Sequence, residues 1–308
     1  MNRVCISRMA RYIPKRMVSS TEMEKQLGLD PEWIQQRTGI LQRFFSDEEN
    51  SVMAKKAVQE LLEIHPDALE GIDQVICVFS ASEQSFPSIS AYIQGAFNLR
   101  CGGFDMNNGC TGFINSLEVV SALIKKGMYQ KILLITSERF SPFLEEEDTG
   151  TYIVFGDGST AMTIEEDGWM EIGLSFNTHK YDHDLSLSLR KPLWKIHMDG
   201  LHVYRFAVKT FEEIFMRCTE IVDFNQLSMI IPHQSNARII EKLFHTARRY
   251  TKAQILSTVS LHGNTGANSI PWALEEVYRS KIPVENILLM AYGSGLSYGM
   301  ATLHRMPS

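Results

Sequence analysis

The chain has 308 residues, of which 44% are hydrophobic and 21% charged, a composition that is ordinary for a globular enzyme with a large core. Its formal net charge of -6 argues against general nucleic-acid binding, because phosphate contacts need clustered Lys and Arg. The five cysteines are odd in number and lack CxxC spacing, so they indicate neither a disulfide framework nor a zinc site and favour a reducing cytoplasm. No apolar run approaches the roughly 20 residues that a membrane span needs.

The N-terminal segment is rich in basic residues. Its first 17 positions hold five Lys or Arg and no acid, a composition that is also found in transit peptides. An alternating apolar pattern begins at Val4 and Ile6, however, and this pattern predicts a strand of the folded core. We therefore expect the segment to belong to the sheet.

Short apolar runs rich in β-branched residues alternate with longer helical patterns along the chain. Such alternation is typical of a mostly parallel sheet with helices on its faces, so the sequence predicts an α/β fold. The predicted strands are 74–79, 131–136, 152–163, 228–231 and 286–291, and the clearest predicted helices are 52–64, 114–124 and 203–219.

The sequence DMNNGCTGF, residues 105–113, places Cys110 between an apolar run and a helical pattern. A thiol at a helix N-terminus lies near unpaired N–H groups and the positive end of the helix dipole, which favour the nucleophilic thiolate. Taken alone, a free cysteine is as well explained as a small core residue. Gly109 and Gly112 favour a functional interpretation, because glycines let a ligand approach the backbone closely. Cys110 is therefore the candidate nucleophile.

Two further polar clusters lie in the second half of the chain. MIIPHQSN (229–236) and HGNTGANS (262–269) each place a polar residue just after an apolar or β-branched run. Taken singly, His233 fits a hydrogen-bonded residue at a strand end, and Asn264 fits the N-cap of the helix that follows. Together with Cys110 they supply Cys, His and Asn in chain order.

These clusters and several further motifs resemble the β-ketoacyl-acyl-carrier-protein synthase III group of the thiolase superfamily over nearly the whole chain. The resemblance implies an α/β, thiolase-like fold, in which two pseudo-duplicated halves with mixed sheets and helices form αβαβα layers. A faint duplication agrees with this, because the order of elements around GCTGF and KILLITSE recurs around GNTGANS and NILLMAYGSG. The expected halves are 1–167, which carries the Cys, and 168–308, which carries the His and Asn. The further motifs are WIQQRTGILQR (33–43), FPS (86–88), FGDGS (155–159), MDGLHVYRFAV (198–208) and GSGLSYG (293–299).

The resemblance also implies an acyltransferase of fatty-acid or polyketide biosynthesis. Cys110 would accept an acyl group from a thioester, and malonyl-carrier protein would then lose CO2 to form the attacking enolate. His233 and Asn264 would hold the enolate oxygen in a dry site. The oxyanion hole would consist of the backbone N–H groups of Cys110 and Ser294; Ser294 lies in a turn that usually has three glycines, where a positive φ would strain it. No cofactor and no metal are implied, because loss of CO2 itself generates the carbanion.

Two differences from other branches of the superfamily narrow the chemistry. Non-decarboxylating thiolases carry a second cysteine before the C-terminal glycine turn, where this chain has Ala291 and Tyr292. Elongating synthases have a second histidine at the position of Asn264. The resemblance is therefore to enzymes that prime chains, and the short length disfavours the plant-type polyketide synthases among them.

The segment WIQQRTGI matches the part of the family that holds the nucleotide end of coenzyme A. Trp33 would stack on adenine and Arg37 would pair with phosphate, although an exposed helix end explains both residues equally well. The family's second adenine-stacking arginine is replaced by Thr149, which follows an acidic run, 145–148. Because these acids would repel coenzyme A phosphates, the sequence favours an acyl group that is delivered on a carrier protein or by a specialised donor.

Two residues match family positions that contact other chains. Arg238 matches an arginine that contacts the acidic acyl carrier protein, and Arg248 and Arg249 follow on the same predicted helix; a solvated helix face explains them equally well. Phe86 matches an aromatic residue that crosses a dimer interface to line the partner's acyl tunnel. The resemblance therefore implies a homodimer in the cytoplasm, with no nucleic-acid or membrane partner.

Two alternatives remain open at this point. The chain could pass its acyl group to an alcohol or amine, or it could be a non-catalytic subunit of a heterodimeric synthase. The histidines of HKYDHD, His179 and His183, have a spacing that suits a metal on a helix, but the segment lacks helical periodicity, so no metal site is predicted.

Overall fold

The computed structural model describes residues 3–306 except 83, 85, 180, 181, 185 and 191–193. The strands of this part are β1 Cys5–Tyr12, β2 Arg16–Ser19, β3 Gln42–Phe45, β4 Gln74–Phe79, β5 Gly102–Asn107, β6 Ile132–Glu138, β7 Gly158–Glu165, β8 Met170–His179, β9 Leu187–Arg190, β10 Lys195–Met198, β11 Met229–Pro232, β12 Gln254–Ile255, β13 Asn286–Gly293 and β14 Ser297–Arg305. The helices are α1 Ser20–Leu27, α2 Pro31–Thr38, α3 Asn50–Ile64, α4 Ile89–Ala96, α5 Gly112–Lys125, α6 Thr149–Tyr152, α7 Gly200–Cys218, α8 Ala237–Ala247, α9 Val259–His262 and α10 Ser269–Ser280. Short 3₁₀ turns span Gly109–Thr111, Ser141–Phe143, Gly266–Asn268 and Ser294–Leu296.

One ten-stranded sheet dominates the described part of the chain. Its order is β12-β11-β13-β14-β8-β1-β7-β6-β4-β5. From the centre outward, the first half runs β1-β7-β6-β4-β5 and the second half runs β8-β14-β13-β11-β12, so each strand has a counterpart in the other half. The halves meet where Cys5 and Ile6 of β1 pair with Glu171 and Met170 of β8. The predicted boundary at 167/168 lies in the connection between β7 and β8.

Helices cover both faces of each half and produce five layers. The strands are apolar on both faces; on β4, for example, Ile76 and Val78 contribute to the central core and Val75 and Cys77 to an outer core. α5 and α10 lie in the central core between the halves, with α3 and α4 outside the first half and α7 and α8 outside the second. This confirms the predicted αβαβα arrangement.

The sheet is mixed, which confirms the fold class that the resemblance implies and corrects the mostly parallel sheet that the apolar runs predict. β1, β7, β8 and β14 pair antiparallel with their neighbours, while β4 and β11 lie parallel to theirs. A three-residue turn joins β13 to β14, and so short a connection allows only an antiparallel return. The predicted strand 152–163 begins only at Gly158, because Tyr152 is the last residue of α6 and Phe155 forms only an isolated bridge with Asn264.

No helix in the described part of the chain is long and apolar enough to cross a membrane.

The connection after β5 leads through a 3₁₀ turn into α5, and the connection after β12 leads through α9 and a second 3₁₀ turn into α10. These counterpart connections bring Cys110 and Asn264 to the middle of the molecule.

Candidate active site

Cys110 lies in the 3₁₀ turn Gly109–Thr111, directly before α5, and is 5% exposed. Gly109 has φ 55°, and a β-carbon there would collide with the Ser294 side chain. A β-carbon on Gly293 would lie 2.8 Å from Cβ and 3.1 Å from the backbone N of Cys110. The thiol therefore sits against the turn that follows β13, and only glycines permit this approach.

His233 follows β11 and is held on three sides. Its backbone N–H donates to the carbonyl of Met290 at 2.7 Å. Its ring Nδ1 lies 2.6 Å from Oγ of Ser269, and the ring packs edge-on against Tyr292 with centroids 5.3 Å apart. Burial lowers the pKa of His233 to about 3. The imidazole is therefore neutral at physiological pH.

Asn264 is fixed through both its backbone and its side chain. Its N–H donates to the carbonyl of Val154 and its own carbonyl accepts from the N–H of Gly156, each at 2.9 Å. Its Oδ1 accepts the N–H of Gly266 at 2.9 Å. This bond assigns the amide orientation and leaves the Nδ2 group, a donor of two protons, for other partners. Asn264 is thus no N-cap of α10, a position that Asn268 takes.

Cys110 lines two cavities. The first, which we call the His–Asn cavity, has a volume of about 70 Å³ and brings Cys110 together with His233, Asn264, Asn236 and Tyr292. The three residues that the sequence singled out therefore face one space. Among the described residues, neither Nε2 of His233 nor Nδ2 of Asn264 has a hydrogen-bond partner.

The second cavity, the Phe cavity, has a volume of about 110 Å³ and also includes Cys110 in its lining. Phe140, Phe155, Leu187 and Ile196 supply its apolar wall. The rings of Phe140 and Phe155 pack in a tilted arrangement with their centroids 4.8 Å apart. A thiol that lines two cavities can receive an acyl group through one of them and keep the hydrocarbon part of that group in the other.

The turn Gly293–Ser294–Gly295 carries its positive φ on Gly295, where φ is 101°. Among the described residues other than glycine, positive φ occurs at Asn98, Trp194 and Lys281. Ser294 therefore does not adopt the positive φ that would strain it, contrary to the expectation from the sequence. The Ser294 carbonyl accepts from Oγ of Ser297 at 2.8 Å, which fixes the turn beside Cys110.

The electrostatics of Cys110 differ from the prediction of a ready thiolate. Burial raises the pKa of the thiol to about 12, and the nearby carboxylate of Glu138 adds to the rise. A helix end stabilises a charge by up to ~2 kcal/mol, or about 1.5 pKa units. This is smaller than the rise caused by burial, so the helix end alone does not produce the predicted thiolate, and the resting thiol is protonated.

Sequence reasoning missed Glu138, which ends β6. The carboxyl is fully buried, and Oε1 accepts the N–H of Ala267 at 2.9 Å and the hydroxyl of Ser80 at 2.6 Å. Burial raises the pKa of Glu138 to about 8. The residue thus joins a lining residue of the Phe cavity, Ser80, to the turn that follows Asn264. Its only sequence signal was an acid at the end of an apolar run.

Comparison with known proteins identifies the family. The family described as 3-oxoacyl-[acyl-carrier-protein (ACP)] synthase III matches residues 104–180, and its C-terminal part matches residues 220–305. A β-ketoacyl-[acyl-carrier-protein] synthase III of Aliivibrio fischeri is 33% identical over 308 residues, which cover 94% of this chain and 96% of that protein. One of Coxiella burnetii is 32% identical over 312 residues, covering 95% and 96%. The chain belongs to the synthase III family.

Solved structures agree with this assignment. The synthase III of Thermus thermophilus has a TM-score of 0.89 and 29% identity, covering 98% of this chain and 99% of that one. The priming β-ketosynthase of the R1128 polyketide pathway has a TM-score of 0.89 and 25% identity, covering 99% and 97%. These similarities confirm the thiolase-like fold. This synthase III is a condensing acyltransferase of fatty-acid or polyketide biosynthesis, and that function is favoured over both alternatives.

The predicted donor-binding residues of this synthase III lie close to the His–Asn cavity. Trp33, 39% exposed, and Arg37 share one face of α2, with the guanidinium 5.5 Å from the ring centroid. The Arg37 carbonyl accepts from Nδ2 of Asn236, which lines the cavity, at 3.3 Å. Arg238 lies two residues after Asn236 and is exposed on the first turn of α8. The structure thus gathers these residues at one side of the cavity.

Other predicted positions stand apart from the cavities. On α8 and just beyond it, Arg248 stacks on Phe244 and Arg249 pairs with Glu212 at 2.7 Å. Phe86 is 86% exposed. Of the acidic run, Asp148 caps α6 directly before Thr149. The HKYDHD segment includes 180 and 181, which lie outside the described residues; among the described residues no group of three metal-binding side chains occurs.

Proposed function

We propose that Cys110 takes an acyl group from a thioester and that this acyl group is then joined to malonyl-acyl carrier protein with loss of CO2. The observation that carries the proposal is the shared His–Asn cavity of Cys110, His233 and Asn264. It offers one nucleophile and two neutral donors to one small, buried space. Relatives named for the acyl carrier protein support the choice of carrier.

In the acylation step, Sγ of Cys110 attacks the thioester carbonyl. The N–H groups of Cys110 and Ser294 stabilise the tetrahedral oxyanion, because the approach of Gly293 to Cys110 brings this turn to the thiol. The carbon–sulfur bond of the donor then breaks, and the proton of Cys110 leaves with the carrier thiol. The hydrocarbon part of the acyl group occupies the Phe cavity.

In the condensation step, the malonyl thioester binds in the His–Asn cavity and loses CO2. The enolate oxygen accepts hydrogen bonds from Nε2 of His233 and Nδ2 of Asn264, two donors that remain uncharged. The enolate carbon attacks the Cys110 thioester, the carbon–sulfur bond breaks, and the released thiolate takes up a proton. The β-ketoacyl product leaves on the carrier protein.

The proposed reaction needs no cofactor and no metal. Both substrates are activated as thioesters, and decarboxylation supplies the electron pair of the new carbon–carbon bond. The acyl thioesters on coenzyme A or on phosphopantetheine are therefore the proposed small-molecule partners.

The carrier would approach the side of the His–Asn cavity where Trp33, Arg37 and Arg238 gather. A carrier protein is acidic around its phosphopantetheine, so exposed Arg37 and Arg238 raise its encounter rate. Thr149 and the acidic run before it favour this carrier over coenzyme A as acyl donor.

We also propose that the enzyme is a cytoplasmic homodimer. β5 is the edge strand of the large sheet, and Gly102, Gly103 and Phe104 on it are exposed. Phe86, just before α4, and Tyr92, on α4, are also exposed and would continue this apolar surface. Pairing of β5 with β5 of a second copy of the chain would cover the unpaired N–H and C=O groups of this edge strand. All five cysteines are free, which agrees with a reducing compartment.

The test of acylation is the intact mass of the purified enzyme after incubation with matched panels of acyl coenzyme A and acyl-carrier protein. We expect an adduct from carrier protein that is absent in Cys110→Ala. Adducts of equal yield from coenzyme A would show that Thr149 does not impair that donor. Absence of any Cys110-dependent adduct would overturn the proposed function.

The division of roles is tested by adding malonyl-acyl carrier protein. His233→Ala and Asn264→Ala should retain acylation and lose condensation by about 100-fold or more, as deletion of an oxyanion donor does. Normal release of CO2 and β-ketoacyl product by either variant would contradict the assigned roles.

A further inference from the structure

We propose that Ser269 is a positioning residue that keeps the single proton of neutral His233 on Nε2. The inference rests on the proposed function, in which Nε2 donates to the enolate oxygen. It adds a residue that acts through His233 and not on the substrate.

The direction of the hydrogen bond follows from the second partner of Ser269. The backbone N–H of Gln234 donates to Oγ of Ser269 at 3.2 Å. This oxygen therefore accepts one hydrogen bond, and if it also accepted from Nδ1 of His233, 2.6 Å away, its own hydroxyl proton would be left without an acceptor; donation of that proton to Nδ1 satisfies both groups. Among the described residues, Nδ1 is the acceptor that this hydroxyl reaches. Nδ1 then carries a lone pair, and the ring proton resides on Nε2.

The position of the proton decides what the ring offers to the His–Asn cavity. Nε2–H donates to a developing oxyanion, whereas a ring protonated on Nδ1 would present a lone pair to it and destabilise the enolate. Because burial keeps His233 uncharged, the ring has one proton to place. The location of the ring proton therefore controls the condensation step. The attack of Cys110 on a donor thioester depends instead on the N–H groups of Cys110 and Ser294.

Ser269 and its hydrogen-bond partner Gln234 are each held in place by further hydrogen bonds. Ser269 is 2% exposed and follows the 3₁₀ turn in which Oδ1 of Asn268 accepts from the hydroxyls of Thr136 and Thr160, each at 2.7 Å. On the other side, Oε1 of Gln234 accepts the N–H of Thr258 at 2.7 Å. The hydroxyl is therefore held toward Nδ1 by two separate networks.

Apart from accepting the N–H of Gln234, the Ser269 hydroxyl does not cap its own helix. α10 has its N-cap at Asn268, and no side chain caps this helix through a hydrogen bond. A purely structural serine would lower acylation and condensation together when it is replaced. A positioning serine lowers condensation alone.

The first measurement is a long-range ¹⁵N–¹H correlation spectrum of histidine side chains in the wild-type enzyme, with His233 assigned by its loss in His233→Ala. We expect an unprotonated shift for Nδ1 and a protonated shift for Nε2. A protonated Nδ1 would overturn the inference, and this spectrum needs no variant of Ser269.

The second measurement compares Ser269→Ala with Ser269→Thr, which retains the hydroxyl. Ser269→Ala should mix the two ring tautomers and lower condensation by about ten- to a hundredfold, less than loss of the donor itself. Its acylation by acyl-carrier protein should stay within about twofold, and Ser269→Thr should recover the spectrum and part of the condensation rate. Ser116→Ala is a matched control, because that buried hydroxyl donates to the Phe113 carbonyl of its own helix.

The outcomes separate this inference from the proposed function. If the wild-type enzyme and Ser269→Ala both condense at the normal rate, the proposed function stands and the role of Ser269 is overturned. Equal loss of both steps in Ser269→Ala would overturn it as well. A wild-type enzyme that forms no acyl adduct would instead refute the proposed function.

Discussion

The backbone of Gly293 passes so close to Cys110 that a β-carbon on Gly293 would lie 2.8 Å from the β-carbon of Cys110. Gly293 is extended, with φ −177°, so its conformation suits any residue and only the lack of space demands glycine. Since the clashing atoms are the Cys110 backbone N and Cβ, no flexible side chain can move aside. The contact sets the distance between the nucleophile and the Ser294 N–H.

Gly293→Ala should therefore displace Cys110 from this turn. We expect acylation to fall by about 100-fold, the size of effect that loss of one oxyanion donor produces. The measurement is the initial rate of adduct formation by intact mass. Gly95→Ala is the control, because a β-carbon at Gly95 meets no atom within 4 Å. Similar rates in both variants would show that this contact is not needed.

The thiol of Cys110 should react faster as pH rises, without reaching a plateau below about pH 10. Burial raises its pKa to about 12, so the thiolate fraction increases about tenfold per pH unit throughout this range. The measurement is the rate of alkylation by iodoacetamide from pH 6 to 10, with Cys110→Ala as background. An inflection near pH 7 would instead support the helix-end activation that the sequence predicted.

Glu138→Gln should make Cys110 more reactive at pH 9 and leave its reactivity at pH 6 nearly unchanged. The pKa of Glu138 is about 8, so the carboxyl is neutral at the lower pH and charged at the higher one, where it raises the pKa of the thiol. The same alkylation assay measures this. Glu275→Gln, which also removes a buried carboxyl, should show no such difference. A uniform change at both pH values would contradict the electrostatic role.

Short acyl groups should acylate Cys110 faster than long ones. A cavity of about 150 Å³ admits benzene, with six heavy atoms, so the Phe cavity of about 110 Å³ admits roughly four. We expect butanoyl to be accepted and octanoyl to react about tenfold more slowly, measured as adduct formation from matched acyl-carrier proteins. Ile196→Ala should reduce this difference, whereas Ile214→Ala, in the outer core, should not.

The fold, and the convergence of the three candidate residues on one cavity, could be predicted because their signals are local. Cys110 and His233 each follow a strand of the large sheet, whereas Asn264 follows the short helix α9, and each of the three lies beside glycine or proline. The order of elements repeats between the halves, and the structure places counterpart strands in counterpart positions of the sheet.

The remaining features depend on contacts between distant parts of the chain. Ser269 acquires a role because α10 carries it to within 2.6 Å of a ring 36 residues earlier in the chain. The raised pKa of Cys110 depends on burial depth, which a helix-start pattern does not contain. The positive φ in the last glycine turn falls on Gly295 and not on Ser294, whose side chain lies against Gly109.

Cys110 lines both cavities, and in the proposed reaction this sets the order of events at the enzyme. The hydrocarbon of the first substrate would remain in the Phe cavity, while the arms of both carriers would use the single space beside His233 and Asn264. The first carrier must therefore depart before the second arrives, and the free enzyme and the acyl-enzyme alternate during turnover. Double-reciprocal plots at varied concentrations of both substrates should give parallel lines, and discharged carrier protein should compete with its malonyl form.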